Sequence, residues 1–385
     1  MRIGIDARFL THPQPGGFKT YTENLIQALA KLDQENQYTL YLDRLPGSQD
    51  HIPTQSNFEY RIVSGATPLF GVPWREQVGI PRQVARDHID LFHAPCLTAP
   101  LFLDCPMVIT VHDMIWAFPD KYSQNAYRSI KRRLMKWYNY AVPKAAIGRA
   151  SALITVSNAA KESIVELSGV SSDRVFVTYE AASPSFKQVK DKQQLGLIRQ
   201  KYELHSDFIL AIGSADPRKN INSLVHAYSL LSKELQEKYP LVIVWTHVAL
   251  ADELSKKIEE LGLVKHIRFL QQVSTDDLAL LYNSASLFVF PSLYEGFGLP
   301  PLEAMSCGVS VVAANNSSIP EIVGDAALLF DAKDAQELSR TMMGVLSNED
   351  IRSDLVQKGI ARKTFFSWEK CADETLSVYR KVLLA

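Results

Sequence analysis

The sequence predicts an α/β protein made of two doubly wound, Rossmann-like domains that face each other across a cleft. Three observations carry that expectation. Short apolar strands alternate with amphipathic helices along most of the chain, the pattern of parallel sheets covered on both faces. The length, 385 residues, is enough for two cores. The alternation is interrupted once, by a polar, lysine-rich stretch. Residues 1–183 therefore read as an N-terminal domain, 184–206 as a linker, 207–366 as a C-terminal domain, and 367–385 as a closing helix that packs back toward the first domain.

In order, the first domain offers strands at Arg2–Asp6, Tyr38–Leu42, Phe58–Val63, Ile89–Phe92, Met107–Val111, Ala152–Val156 and Val175–Tyr179. A helix opens near Thr20-Tyr21-Thr22-Glu23, a capping-box sequence, and continues with an apolar stripe of Leu25, Leu29 and Leu32. Another is expected near Trp74–Arg86. The second domain begins at strand Phe208–Ile212 and continues with helix 221–236, strand Leu241–Thr246, helix 251–261, strand Ile267–Leu270 and helix 275–284. It ends on strand Leu287–Phe290, a Gly/Pro-rich loop, a short helix, strand Val309–Ala314 and further helices.

Composition narrows the function. With 46% hydrophobic residues, 22% charged residues and a net charge of −1, the chain has the profile of an ordinary globular protein. It is not a nucleic-acid binder driven by overall basic charge. Cys96, Cys105, Cys307 and Cys371 show no CxxC spacing, which suggests neither zinc nor a disulfide framework and fits a reducing compartment. The first strand begins at once, with no signal-peptide apolar region, and no apolar run reaches the length of a membrane span. The expectation is a soluble, cytoplasmic protein.

In doubly wound sheets, ligands bind beyond the carboxyl ends of the strands. In the first domain those ends carry Gly16-Gly17, His93, His112-Asp113 and Ser157-Asn158. His112 directly follows an apolar strand, which places an imidazole at the cleft mouth, and Asp113 is its neighbour. Ser157 reads as a helix N-cap. In the second domain, Gly213-Ser214 leads into Pro217-Arg218-Lys219-Asn220, where Asn220 can cap the next helix. Arg218 and Lys219 then lie near a helix N-terminus, where cations are unfavourable without an anion, and a phosphate partner would resolve the conflict.

The stretch from Leu287 to Asp331 is the most informative. Glu295 in the loop and Glu303 in the helix are separated by seven residues. Pro300 and Pro301 suit a first helical turn, and Gly308 suits its end. Gly296 and Gly298 let backbone N–H groups approach an anion at the helix start. Glu303 in a first turn would also be favourable without any ligand. Ser318 and Glu321 have capping-box spacing, which gives Glu321 a structural reading.

The run Glu295-Gly296-Phe297-Gly298-Leu299-Pro300-Pro301-Leu302-Glu303, with the Pro-Arg-Lys-Asn turn and the closing Trp368-Glu369 helix, resembles the family 4 retaining glycosyltransferases of GT-B fold. The similarity spans nearly the whole chain. It is nearest to bacterial enzymes of O-antigen and exopolysaccharide assembly, with a looser similarity to cyanobacterial envelope-polysaccharide glucosyltransferases.

The resemblance implies a nucleotide-sugar donor, with UDP-glucose the lead and GDP-mannose the nearest variant, and a glycan or polyprenyl-diphosphate-linked acceptor. It implies that Glu303 binds the ribose, and that Glu295 with the N–H groups of Phe297, Gly298 and Leu299 holds hexose and phosphate. It implies that Lys219 with Arg218 neutralises the diphosphate and that Gly16-Gly17 contacts the phosphates. His112 would face the sugar, and Gln272-Val273 would meet the base. The sequence departs from the family at Ser214, where an arginine is frequent, at Trp245-Thr246-His247 and near Gln271, where glycines are usual, and at Tyr179-Glu180-Ala181-Ala182, where Asn-Gly is frequent. The last change could bring Glu180 to the cleft.

No DxD triplet occurs to hold a divalent cation, so Arg218, Lys219 and helix N-termini are expected to take a metal's place, with no cofactor. Between Asp120 and Glu162 there is no acidic residue, while Lys121, Arg128, Lys131, Arg132, Arg133, Lys136, Lys144 and Arg149 interleave with Trp137, Tyr138 and Tyr140. That stretch, 121–149, suits an anionic membrane surface or serves as a solvated helix face. A nucleotide-sugar epimerase, which needs no acceptor, and a non-enzymatic two-lobed sugar-binding protein are the readings from other classes.

Overall fold

The computed structural model describes residues 1–13, 16–48, 50–65, 71–118, 130–246 and 252–384, with the backbone alone for 130–133 and 252. Among them the chain forms two compact units. The first holds residues of Met1–Pro119, Asn125–Glu180 and Ser367–Ala385, and the second those of Ala181–Phe366.

The first unit is built on a seven-stranded sheet of β1 (Arg2–Asp6), β2 (Gln37–Leu42), β3 (Phe58–Ile62), β4 (Leu91–Ala94), β5 (Met107–Thr110), β6 (Ala152–Thr155) and β7 (Val175–Val177). Every pairing is parallel and the order is β3-β2-β1-β4-β5-β6-β7. The direction of winding therefore reverses between β1 and β4, which makes the carboxyl ends of these strands the crevice of the sheet. Helix Trp368–Leu384 belongs to this unit because Trp368, Cys371, Ala372, Thr375, Leu376 and Tyr379 recur at helical spacing and are all buried.

The second unit carries β8 (Ile209–Gly213), β9 (Leu241–Trp245), β10 (Ile267–Gln271), β11 (Leu287–Phe290), β12 (Val311–Ala314) and β13 (Ala327–Phe330), in the parallel order β10-β9-β8-β11-β12-β13. Its reversal falls between β8 and β11. Both faces are covered, so the inner strands are apolar throughout: Leu287 and Val289 enter one core cluster, Phe288 and Phe290 the other.

Several expectations change. Residues 184–206 do not stand apart as a linker. Helix Lys192–Lys201 lies in the second unit, and Phe186, Ile198 and Leu204 enter its core, so the polar composition reflects only the outer face. The helix expected at 221–236 breaks into Ile221–Ser229 and Lys233–Lys238, because Ser232 caps a new start through the amide of Leu235. The helix Gly17–Leu32 begins at Gly16, so Thr20 lies inside it and no capping box forms there. The segment near Trp74–Arg86 contains a π-helical turn, Arg75–Gly79, whose Arg75 and Glu76 are buried.

Candidate functional site

At the β8/β11 reversal three loops are tied into one block. After β8, a 3-10 turn at Pro217–Lys219 presents its carbonyls to the loop after β11. Arg218 O accepts from Leu293 N at 2.7 Å and from Ser292 Oγ at 3.1 Å. Asn220 does not cap the next helix through its side chain. Its left-handed backbone (φ 53°) turns the amide outward, where Nδ2 donates to Pro291 O at 3.1 Å and Ala332 O at 2.8 Å. Ser318 likewise forms no capping box with Glu321. Its hydroxyl is shared between Glu295 O at 3.0 Å and Phe297 O at 2.6 Å, while Ser317 Oγ accepts from Glu295 N at 3.1 Å. The Ser318 hydroxyl that looked like a cap is, with that of Ser317, a fastener of the Glu295 loop.

Within this block Lys219 Nζ donates to Glu295 Oε1 at 2.7 Å, and Ser292 Oγ donates to the same oxygen at 2.5 Å. The ammonium also lies 5.4 Å from the Phe290 ring centroid. Arg218 Nε and Nη2 both reach Asp216 Oδ2, at 2.9 and 2.6 Å. Burial would raise the Asp216 carboxyl, but the hydrogen bonds from Arg218 hold it below the usual carboxylate range. The conflict seen in the sequence is thus already eased inside the chain, since each cation has a carboxylate. Asp216 N also donates to Ser214 Oγ at 3.2 Å, so the residue in the family's arginine position serves the turn.

Glu303 sits in the second turn of helix Leu299–Cys307, and that helix has no acidic residue in its first turn. The favourable N-terminal charge that could explain it without a ligand is therefore removed. The glutamate is only 8% exposed and accepts from Tyr282 Oη at 3.3 Å. Burial and this carboxylate push the Tyr282 phenol well above its ordinary range, and Cys307 up to about 12. Pro300 and Pro301 occupy the first turn without N–H groups, so the N–H groups at this helix start belong to Leu299 and the residues before it. Gly298 is left-handed (φ 116°), and a Cβ there would lie 2.8 Å from Ile319 Cδ1. Phe297 is buried against Phe366, with centroids 5.7 Å apart. Gln272 and Val273 follow β10, two strands from β8. Gln272 is left-handed at φ 53°, where the family's usual glycine would be unstrained.

In the first unit His112 follows β5 and is held on four sides. Its Nε2 meets Pro95 O and its Nδ1 meets Glu180 Oε1, each at 3.1 Å. Tyr21 and Phe18 approach the ring edge-on at 4.6 and 5.1 Å. A carbonyl can only accept, so Nε2 carries the hydrogen that meets Pro95 O, and Nδ1 faces the Glu180 carboxyl. The carboxylate partner is Glu180, and not the adjacent Asp113, whose Oδ1 accepts from Ile115 N at 3.0 Å. His93 lies inside β4 and not at its end. It is fully buried between Tyr379 Oη (2.6 Å) and Thr110 Oγ1 (2.8 Å), and burial pulls it down to about 3, so it is a neutral core residue. Ser157 is the expected N-cap, accepting from Ala160 N at 3.0 Å. Gly16 and Gly17 are exposed, and a Cβ on either would meet nothing within 4 Å, so internal packing does not require glycine there.

The sequence reading missed a buried charge network at the β1 end of this sheet. Asp6 receives Arg75 Nη2 at 2.8 Å and Nη1 at 3.1 Å, and Arg8 Nη2 lies 3.1 Å from Asp6 and 2.6 Å from Glu76. Tyr138 Oη and Thr98 Oγ1 close on the Glu76 carboxylate. The one available signal was an Asp and an Arg flanking the end of the first strand.

Comparison with known proteins decides the family. Residues 15–185 match the family model described as Glycosyltransferase Family 4, and residues 197–362 the one described as Glycosyl transferases group 1. The chain is 32% identical over 377 residues to the O-antigen chain mannosyltransferase B of Escherichia coli, covering 94% of this chain and 96% of that protein. It is a family 4 glycosyltransferase.

Among other relatives, the MMP α-(1→4)-mannosyltransferase of Mycolicibacterium hassiacum is 30% identical over 284 residues, 72% of this chain and 66% of that one. The fold of the transferase is that of sucrose-phosphate synthase from Thermosynechococcus elongatus (TM-score 0.78, 21% identity, 100% of this chain and 99% of that one). It is also that of Anabaena HepE solved with UDP and glucose (0.74, 20%, 98% and 99%). These GT-B neighbours share the two parallel-sheet, Rossmann-like domains described above. In this glycosyltransferase, Lys219, Glu295, Arg218 and Ser214 come together in one hydrogen-bonded block, with Gly298 and Leu299 opening the helix that carries Glu303.

Proposed function

We propose that this glycosyltransferase moves a hexose, with retention of configuration, from a nucleotide-sugar to a glycan or lipid-linked acceptor in polysaccharide biosynthesis, and that the donor is GDP-mannose. The observation that carries the reading is the Lys219–Glu295 pair at the β8/β11 reversal, on loops braced by Ser318 and Asn220. Mannose is supported by the relative that aligns over 96% of its length, an O-antigen chain mannosyltransferase. The UDP-glucose expectation is not supported by that relative.

In this mechanism the acceptor oxygen bonds to the anomeric carbon on the face the leaving group departs. The bond from that carbon to the β-phosphate oxygen breaks, and the acceptor's proton passes to the phosphate. Negative charge grows on the diphosphate, where Lys219, Arg218 and the amides of Phe297, Gly298 and Leu299 are placed to receive it. Glu295 orients the Lys219 ammonium and the hexose, and Glu303 takes the ribose. Ser214 lies beside the phosphates, and Gln272-Val273 beside the base. In the first unit His112 serves the hexose, and Gly16-Gly17 leaves room for a phosphate. No metal and no cofactor take part in this scheme, so activity survives EDTA; full loss restored by Mg²⁺ or Mn²⁺ would refute this.

The basic stretch 121–149 is proposed to rest on anionic membrane. Its residues Lys121 and Arg128, and the side chains of Lys131, Arg132 and Arg133, lie outside the described residues. On helix Ile130–Arg149, Leu134, Trp137 and Tyr140 are 56%, 66% and 40% exposed at three-residue spacing, while Tyr138 is buried. Among the described residues no helix is long and apolar enough to cross a membrane. Vesicle co-sedimentation that rises with anionic lipid is expected; indifference to lipid charge removes the proposal.

The donor is tested by a thermal-shift panel of GDP-mannose, UDP-glucose and an ADP-sugar, since a ligand of the folded state raises its stability. GDP-mannose is expected to give the largest shift, reduced in Glu303→Ala and Lys219→Ala. Unchanged shifts in both variants would mean that the nucleotide lies elsewhere.

A further inference from the structure

Phe18 opens the helix Gly17–Leu32 and stays 39% exposed, although its ring is packed edge-on to the His112 imidazole at 5.1 Å and tilted on Phe9 at 5.3 Å. His12 continues the row, 5.8 Å from Phe9. Gly16 and Gly17, which precede Phe18 in the chain, meet nothing within 4 Å of where a side chain would begin. The imidazole itself is fixed by Tyr21, Glu180 and Pro95 and does not need Phe18 to hold it.

The nearby charges narrow what could lie there. Arg8 is matched by Asp6 and Glu76, with Arg75 completing a neutral set of four. Lys19 is held by Asp50 at 3.6 Å and by His12 O at 3.0 Å. These cations are already compensated and leave no net charge beside Phe18. An aromatic face, negative at its centre, suits the weakly positive C–H face of an uncharged sugar ring.

We propose that Phe18, backed by Phe9, is a stacking platform for a neutral sugar ring that ends the acceptor, beside His112. This rests on the transferase reading and deepens it: the enzyme extends a sugar-terminated acceptor and does not place the first sugar on a bare lipid phosphate.

The test uses the full chain, the nucleotide-sugar with the largest thermal shift, and three probe acceptors: methyl α-D-mannopyranoside, methyl α-D-glucopyranoside and farnesyl phosphate. A methyl hexoside should be glycosylated, and Phe18→Ala should raise its KM about tenfold or more, with the donor-induced thermal shift kept. Phe18→Tyr should stay near the native KM, and Phe18→Leu should behave like the alanine variant. Three results would overturn the platform: an unchanged KM in Phe18→Ala, a leucine variant as good as the native chain, or transfer to farnesyl phosphate alone. Absence of a shift with every nucleotide-sugar is a separate failure, that of the transferase reading, and takes the platform with it.

Discussion

The two units share a fold and build their polar centres in opposite ways. In the second, the Lys219–Glu295 pair keeps partial exposure at a strand-end crevice, and its bracing groups (Ser292, Ser317, Ser318, Asn220) are uncharged. In the first, four charged side chains are withdrawn from solvent around Asp6, with Arg75 and Glu76 at most 1% exposed. A charge left near solvent can be spent on a ligand. A charge desolvated inside the fold must be matched internally, and its loss is felt as stability. The first network is structural and the second is available for chemistry.

The largest expected effect therefore falls away from the proposed donor site. Arg75→Met should destabilise the first unit by about 3–5 kcal/mol, because it leaves the Asp6 carboxylate buried without its main partner. Burial alone would raise the Asp6 carboxyl, but Arg75 and Arg8 hold it below its ordinary value. That stability is present above the unfolded carboxyl pKa and lost as pH falls through the folded one. Trp74, Trp116, Trp137 and Trp368 lie in this unit and Trp245 in the second, so tryptophan fluorescence in urea chiefly reads the first unit's unfolding. A midpoint unmoved by Arg75→Met would break the contrast.

Lys219→Ala should show the complementary profile, a loss in kcat equivalent to about 3–4 kcal/mol with little change in unfolding. The pair is 21% and 15% exposed, so its contribution to stability is screened. If unfolding moved and kcat did not, the two centres would have exchanged roles.

This difference also explains what could be read in advance. Glu295, Glu303, Gly298 and the prolines lie within one short run, and Arg218-Lys219 are neighbours at the end of a strand, so local spacing exposed them. The first unit's network joins Asp6 and Arg8 to Arg75, Glu76 and Tyr138, and His112 to Glu180, through sheet order that no local pattern encodes. Ser318 and Asn220 were misread for the related reason that a capping residue and a loop fastener look alike until the partner loop is in place. Twelve of the thirteen strands among the described residues were legible, but β13 (Ala327–Phe330) was read as part of the closing helices, because it is short and lies at the edge of the sheet.

His93 gives a smaller effect confined to the first unit. Burial lowers it to about 3, while an unfolded histidine titrates near 6.5, so the unfolded state gains protons first as pH falls. Its contribution is present above the unfolded pKa and declines below it, by about 2 kcal/mol at pH 5. Urea midpoints of the native chain should fall from pH 7 to pH 5 more steeply than those of His93→Gln, and parallel curves would refute this.

The smallest effect returns to the second unit and separates strain from function at one residue. Gln272 holds φ 53° after β10, a conformation that costs a non-glycine residue about 1–2 kcal/mol, partly offset by the greater freedom glycine has when unfolded. Gln272→Gly should therefore raise stability by about 0.5–1 kcal/mol. If the strain is kept because this side chain meets the donor's base, the same variant should show a smaller donor-induced thermal shift, so that stability and affinity move in opposite directions. A gain in stability with donor binding untouched would leave Gln272 a strained loop residue and move base recognition to its neighbours.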